Sequence, residues 1–380
     1  MRNLFEEYGY SRFEVEDRVI DCWNNIFDQK NPNHFYFDAE GTLDCDGNVI
    51  HKMGYMEDTG NDDARTEGMS YGMMMALQMN RKDIFDRIWA WSKTYMFMSE
   101  GEMAGYFCWS NATNGKKNAN GPAPDGEEYF AAALFMASKK WGCGEGIYNY
   151  LEEGRAILRT AVHGHHKMWF ENHLIRFVPD CPFSDPSYHI PQFYELFAEC
   201  ADSWDKDFWL SAAKESRAYL VKACHPITGL AAEYAEDDGK PLPLNHHGSF
   251  FSDSYRVAAN IGFDALWNGY TPELTQIAAK IIRFFDGKTA EELMDYSVDG
   301  KALKKKARHP VGLIATVAEA ALAIPNDDSV DAETKAMAKR AVKRFWDTPM
   351  RTGRRRYYDN CLYFFAMLAL SGKYKKNNSL

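Results

Sequence analysis

Apolar residues recur along this chain with a period near 3.6 much more often than in simple alternation. About twelve helical segments carry the pattern, near 14–28, 66–79, 82–98, 126–140, 146–161, 187–201, 205–222, 252–267, 272–286, 310–324, 331–346 and 357–371. Every other one is amphipathic. In 82–98, Ile84, Ile88 and Trp91 form a stripe with Lys82, Asp83, Asp86 and Arg87 off it. In 331–346, Ala338, Val342 and Phe345 face away from Lys335, Lys339, Arg340 and Lys343. The segments between are nearly free of charge after their first turn, as in AAALFMA (131–137), VGLIATVAEAALAI (311–324) and LYFFAMLAL (362–370). A helix that is apolar all round is a buried helix. The alternation therefore predicts an all-α fold of two concentric rings, six helices outside and six inside, an (α/α)6 barrel in one domain over 1–380. An irregular helical array is the alternative; a solenoid would show a fixed repeat, and none is present. A hairpin near 34–51, turning at Asp46–Gly47, and a short extra helix near 289–296 complete the prediction.

Polar residues collect at the starts of the buried helices. Glu67, Asp125, Tyr188, Asp253 and His309 each open one, with Thr66 placed as the N-cap before Glu67. Inner helices of such a barrel all start at the same end, so five segments from across the chain converge on one mouth. Two long Gly/Pro/Asn-rich stretches, 111–127 and 245–256, deliver Asp125 and Asp253, and long loops inside a compact fold are usually functional.

Composition narrows the chemistry. Ten Trp, 21 Tyr and 24 Phe among 380 residues exceed what core packing needs and suit a groove that stacks sugar rings. A net charge of −10 excludes a phosphate-backbone partner, so no nucleic acid is expected. The eight cysteines are scattered without CxxC and read as reduced thiols, and the N-terminal stretch has no apolar signal-peptide core, so a cytoplasmic protein is expected; a monomer is a separate expectation that these features do not carry. No run of 18 apolar residues would cross a membrane.

Three carboxylates, Glu67, Asp125 and Asp253, if they share a mouth, form an acidic cluster with Trp109, Tyr188 and Tyr255 nearby in the motifs, which suits glycoside hydrolysis. That reaction needs one protonated and one ionised carboxyl. The bland reading of each is an N-terminal helix cap. HGHH (163–166) and His246–His247 invite a metal, but no HExxH and no zinc spacing occurs; GxSxG, GxGxxG and GxxxxGK[ST] are also missing. No cofactor or metal is implied. The local basic runs KALKKKAR (301–308) and RTGRRRYY (351–358) read as solvated loops.

ARTEGMSYGMMMAL resembles the acidic motif of family 8 glycoside hydrolases, with Thr66 in the serine position, and APDGEEYFAAAL, DPSYHIPQFYELF and SDSYRVAANIGFDALW resemble the family's later motifs. The resemblance implies an inverting hydrolase on an (α/α)6 barrel, with Glu67 as general acid and Asp253 as general base. It further implies that Tyr188 positions the water and Arg256 orients the base. Substrate contacts are implied for Asp125, Trp109, His309, Arg308, Tyr255 and Tyr358. Within the family, RTEGMSYGMMMA, NGPAPDGEEYFA and HPVGL are nearest to the branch that removes xylose from the reducing end of β-1,4-xylooligosaccharides. Arg308 stands where that branch has a leucine. An open-groove endo-xylanase or β-glucanase is the second reading, and a sugar epimerase using His246–His247, or an oligosaccharide binder, the third.

Overall fold

The computed structural model describes residues 2–43 and 47–376. Among these, twelve helices have ten residues or more. They are α1 (Arg12–Phe27), α2 (Thr66–Gln78), α3 (Lys82–Trp91), α4 (Pro124–Trp141), α5 (Tyr150–His163), α6 (Pro191–Cys200), α7 (Lys206–Ala223), α8 (Arg256–Asn268), α9 (Pro272–Phe285), α10 (Pro310–Glu319), α11 (Ala332–Asp347) and α12 (Arg356–Leu370). The even helices pack in succession, α2 on α4, α4 on α6, α6 on α8, α8 on α10 and α10 on α12, and α12 returns to α2. That return closes the inner ring. Each odd helix lies outside its even neighbour: α1 on α12, α3 on α2, α5 on α4, α7 on α6, α9 on α8 and α11 on α10. The fold is the all-α (α/α)6 barrel that the hydrophobic pattern predicts.

The chemistry of the side chains explains the sorting. In α2, every residue from Gly68 to Leu77 is buried, and in α12 every residue from Tyr357 to Leu370. Such segments have no face to offer water. Burying each of their Leu, Met or Phe side chains contributes roughly 1.5–3 kcal/mol. In α3 the buried set includes Ile84, Ile88 and Trp91, the predicted stripe, while Lys82 and Asp86 pair at 2.6 Å on its outer side. Ser11 and Glu14 cap α1 reciprocally. Three inner helices, α4, α6 and α10, begin on a proline, whose missing N–H costs nothing at a first turn.

The departures are local. The hairpin pairs β1 (Tyr36–Leu43) with β2 (Val49–Met56) in antiparallel register, and Asp46 of its predicted turn lies outside the described residues. The segment 82–98 is α-helical to Trp91 and then widens into a π turn over Ser92–Met96. Near 289–296 there is one 3₁₀ turn (Ala290–Glu292) followed by β5 (Met294–Tyr296), which pairs with β6 (Ala302–Lys306). Leu293 and Tyr296 seek the core while Ala290–Glu292 stay unburied, a pattern too short for a helix. A further pair, β3 (Asp63–Arg65) with β4 (Ser110–Ala112), runs straight into α2. Thr66 is therefore not a cap. Its N–H donates to the Trp109 carbonyl at 3.0 Å, its side chain caps nothing, and Arg65 takes the flanking position.

Candidate active site

The β3–β4 pair sets the first wall. With Arg65 opposite Ser110 and Thr66 tied to Trp109, Glu67 and Trp109 emerge side by side at the mouth. Trp109 is 37% exposed, with the Arg65 guanidinium 5.2 Å from its ring centre. Two glycines then let the inner helices crowd together. A Cβ on Gly126 would lie 2.4 Å from Thr66 Cβ, and one on Gly68 would lie 2.5 Å from the Tyr357 hydroxyl. Without side chains there, Asp125 and Tyr357 close on Glu67.

Arg256, buried at the start of α8, is the hub. Its Nη1 donates to Glu67 Oε2 at 3.0 Å, to Asp125 Oδ2 at 2.8 Å and to the Tyr71 hydroxyl at 3.0 Å. Its Nη2 donates to Ser187 Oγ at 3.1 Å and lies 3.5 Å from Asp253 Oδ2. The tighter contacts of Arg256 are thus with Glu67 and Asp125, a broader arrangement than orientation of Asp253 alone. Glu67 and Asp253 touch different nitrogens of one guanidinium and both line the same cavity, of about 320 Å³.

The carboxylates differ in environment. Burial pushes Glu67 up to about 8; Arg256 opposes this, while Asp125 and Asp253 add to it. Its Oε1 also accepts from the Tyr357 hydroxyl at 2.9 Å. Burial likewise raises Asp125, against the pull of Arg256 and of the Gly126 N–H that donates to its Oδ1 at 2.9 Å. Asp253 keeps 30% of its side chain exposed. It follows Ser252, a non-glycine residue at φ 47°, whose carbonyl accepts from the Tyr358 hydroxyl at 3.4 Å. A left-handed residue of this kind beside a reactive group is strain held by its surroundings.

Tyr188 lines the cavity with its ring 5.5 Å from the Arg256 guanidinium carbon, in a 3₁₀ turn (Pro186–Tyr188) just before α6. Arg308, His309 and Tyr358 line the same cavity. Asp359 holds the His309 Nδ1 at 2.9 Å and accepts from the Val311 and Gly312 N–H groups of α10. One expected residue is elsewhere: Tyr255 is wholly buried against Phe250, ring centres 5.1 Å apart, and does not line the cavity. Two positions beyond Asp253 on a turn, its side chain points to the core. The paired histidines are also off the cavity. His247 binds Glu233 with His246 stacked on it, and HGHH splits between partners, His163 on Asp205 and His166 on Asp180.

Several functional neighbours escape the sequence reading. Tyr357 and Tyr71 flank Glu67, and Arg355 lines the rim. Behind Asp253, Glu233 accepts from its N–H at 3.4 Å; burial, helped by Asp253 and Asp185, pushes Glu233 up to about 10. Burial and the Asp253 charge push Asp185 to about 8. Asp185 had a signal, since it stands in the DPSYHIP motif; Glu233 had none.

A ring of inward helix starts that meet on an acid, a second carboxylate lining the same water-accessible cavity and an aromatic rim defines a carbohydrate-cleaving barrel. The chain belongs to glycosyl hydrolases family 8, whose model matches residues 46–372. It is 53% identical to a reducing end xylose-releasing exo-oligoxylanase of Halalkalibacterium halodurans, over 98% of this chain and 94% of that protein. It is 49% identical to the enzyme of the same name from Bifidobacterium adolescentis, over 98% and 96%. A crystal structure of a point mutant of such an exo-oligoxylanase, complexed with xylobiose, superposes with a TM-score of 0.92 at 52% identity, covering 98% of this chain and 96% of that one.

Proposed function

We propose that this glycoside hydrolase releases xylose from the reducing end of β-1,4-xylooligosaccharides with inversion at the anomeric carbon. The observation that carries the reading is that two carboxyls in different environments, Glu67 raised by burial and Asp253 part-exposed, meet one guanidinium and line a single cavity. Glu67 gives its proton to the glycosidic oxygen as the bond to the anomeric carbon breaks. Asp253 takes a proton from the water that forms the new bond on the opposite face. Tyr188, beside both Asp253 and Asp125, helps hold that water. Asp125, anchored by Arg256, binds the ring being cleaved and offsets the positive charge that develops on it. Inversion needs the two carboxyls about 6.5–9.5 Å apart, which leaves room for water. The His309 wall, stiffened by Asp359, limits the groove to one residue beyond the cleaved bond, and the names of the relatives support this end-selective action.

Xylotetraose labelled with carbon-13 in its reducing-end residue tests the proposal by early-time NMR. Labelled free xylose beside unlabelled xylotriose formed as the α-anomer is the expected result. Labelled xylobiose would assign an endo-acting enzyme, and a β-anomeric product would overturn inversion.

A further inference from the structure

Two of the guanidiniums at the cavity rim have no direct carboxylate partner among the described residues. Arg256 is shared by Glu67, Asp125 and Asp253, and Arg65 is held by Asp58 at 3.2 Å and Asp63 at 3.0 Å. Asp58, the remaining acid lining the cavity, also accepts from the Gly60 N–H at 2.8 Å and the Asn61 amide at 2.6 Å. Arg308 and Arg355 line the same cavity, both exposed, with no ion pair and no side-chain hydrogen bond among the described residues. Nearby arginines are committed. Arg351 binds Asp359, and Arg354 binds Asp62. Arg351 also donates to the Arg308 carbonyl at 2.7 Å, so the backbone at 308 is fixed while its guanidinium is free.

Partial desolvation lowers the Arg308 pKa first and the field of Arg355 lowers it further; Asp58 pulls it back up, and Arg65 and Arg351 add smaller lowering. Asp58 offsets part of this like-charge repulsion but is itself engaged with Arg65, so a further anion between Arg308 and Arg355 would relieve the rest. A neutral xylose chain supplies none; its recognition needs hydroxyl partners and a stacking surface such as Trp109. Guanidinium forks match a carboxylate, and two of them can grip its two oxygens with charge-assisted hydrogen bonds.

We propose that Arg308 and Arg355 form an anion-reading rim that selects xylooligosaccharides carrying a carboxylate. The inference rests on the function proposed above. Two sources share the chemistry: a uronic acid side group on a xylose residue, or an aldonate at an oxidised chain end.

The test measures affinities by calorimetry on the Glu67→Gln chain, which binds without turnover. Neutral xylotriose, uronate-branched xylotriose and the aldonate of xylotriose serve as ligands, at about 20 mM and about 500 mM salt. At low salt, one acidic ligand binds about tenfold more tightly than the neutral one. The uronate or the aldonate winning identifies the source. The preference collapses at high salt and in Arg308→Gln/Arg355→Gln, and Arg308→Lys/Arg355→Lys restores part of it. Thermal melts confirm that these exposed substitutions leave the fold intact. Equal affinity for all three ligands overturns the proposal and leaves the proposed function standing. So does an equal weakening of neutral and acidic ligands in the Gln pair, which would make the arginines hydroxyl donors. Failure of the wild-type chain to bind or cleave neutral xylotriose would remove the function itself, and the rim proposal with it.

Discussion

On the proposed mechanism, ownership of one proton, that of Glu67, decides whether the site can work. Burial and two neighbouring carboxylates favour the acid, while Arg256, Arg65 and the Tyr357 hydroxyl favour the anion. With the balance at about 8, Glu67 holds its proton at neutral pH and loses it above, so kcat/KM falls on the alkaline side with an apparent pKa near that value. Tyr357→Phe removes a donor that stabilises the anion. The acid then becomes weaker, and the alkaline limb moves upward by a few tenths to about one pH unit. Glu67→Gln has no proton to give and lowers kcat by about 10²–10⁴. A pH–rate profile of wild type and Tyr357→Phe checks the first claim, and a limb displaced downward would refute it. Much of this residue-level picture is legible in the chain: Glu67, Asp125, Tyr188, Asp253 and His309 all stand where inner helices begin. What is hidden is the set of partners. Tyr357 is one aromatic among many in a buried helix, and Glu233 belongs to a loop whose place only the closed barrel defines.

Among the elements, the long periods are easy to read and their ends at the mouth are not. The stripe of α3 and the charge-free stretches of α4, α10 and α12 follow from where apolar residues recur, and that recurrence is the force that buries them. The starts of α6 and α8 are displaced from prediction because Pro186–Tyr188 and Ser252–Tyr255 form 3₁₀ turns before the α-helices proper. Those turns aim Tyr188 and Asp253 at the cavity, and a 3.6-residue period does not record them. The β3–β4 pair is also silent in the pattern, being three residues on each side. Gly126 illustrates how an element depends on a missing side chain. Gly126→Ala would place a methyl 2.4 Å from Thr66, and backbone of α2 also stands close, at 3.2 Å. The starts of α2 and α4 must then part, at a cost of about 1–3 kcal/mol. We expect a lower Tm together with a reduced kcat, because Asp125 moves away from Arg256 and Glu67. Unchanged melting and turnover would mean that the two helix starts are not in the tight contact described.

At the scale of the whole molecule, the barrel buries acids beyond those the reaction needs. Glu127, Glu128 and Glu319 on the inner helices are raised well above ordinary carboxyl values by burial, alongside Glu67, Asp185 and Glu233. A group whose folded pKa is raised binds its proton more tightly in the native state than in the unfolded chain. Its contribution to stability is complete below the unfolded value, near pH 4, and is lost as pH rises through the folded one. The carboxylates with lowered values act in the opposite sense, but they are mostly exposed surface partners, such as Asp180 and Asp238, whose pairs are weak. The raised set therefore dominates, and stability should decline as pH rises above about 4, levelling only past the folded values of about 8 for Glu67 and Asp185 and about 10 for Glu233, with protons released on unfolding. Differential scanning calorimetry at pH 8, in buffers of different ionisation enthalpy, would show an unfolding enthalpy that depends on the buffer. Glu319 offers the cleanest single test. Both its carboxyl oxygens lack a hydrogen-bond partner among the described residues, and burial raises it. Glu319→Gln keeps the shape and removes the titration, so its Tm should exceed that of the wild type at pH 9 and converge with it at pH 4. A gain of the same size at both values would point to packing instead of protonation, and would sever the link between this buried acid and the alkaline limit of the fold.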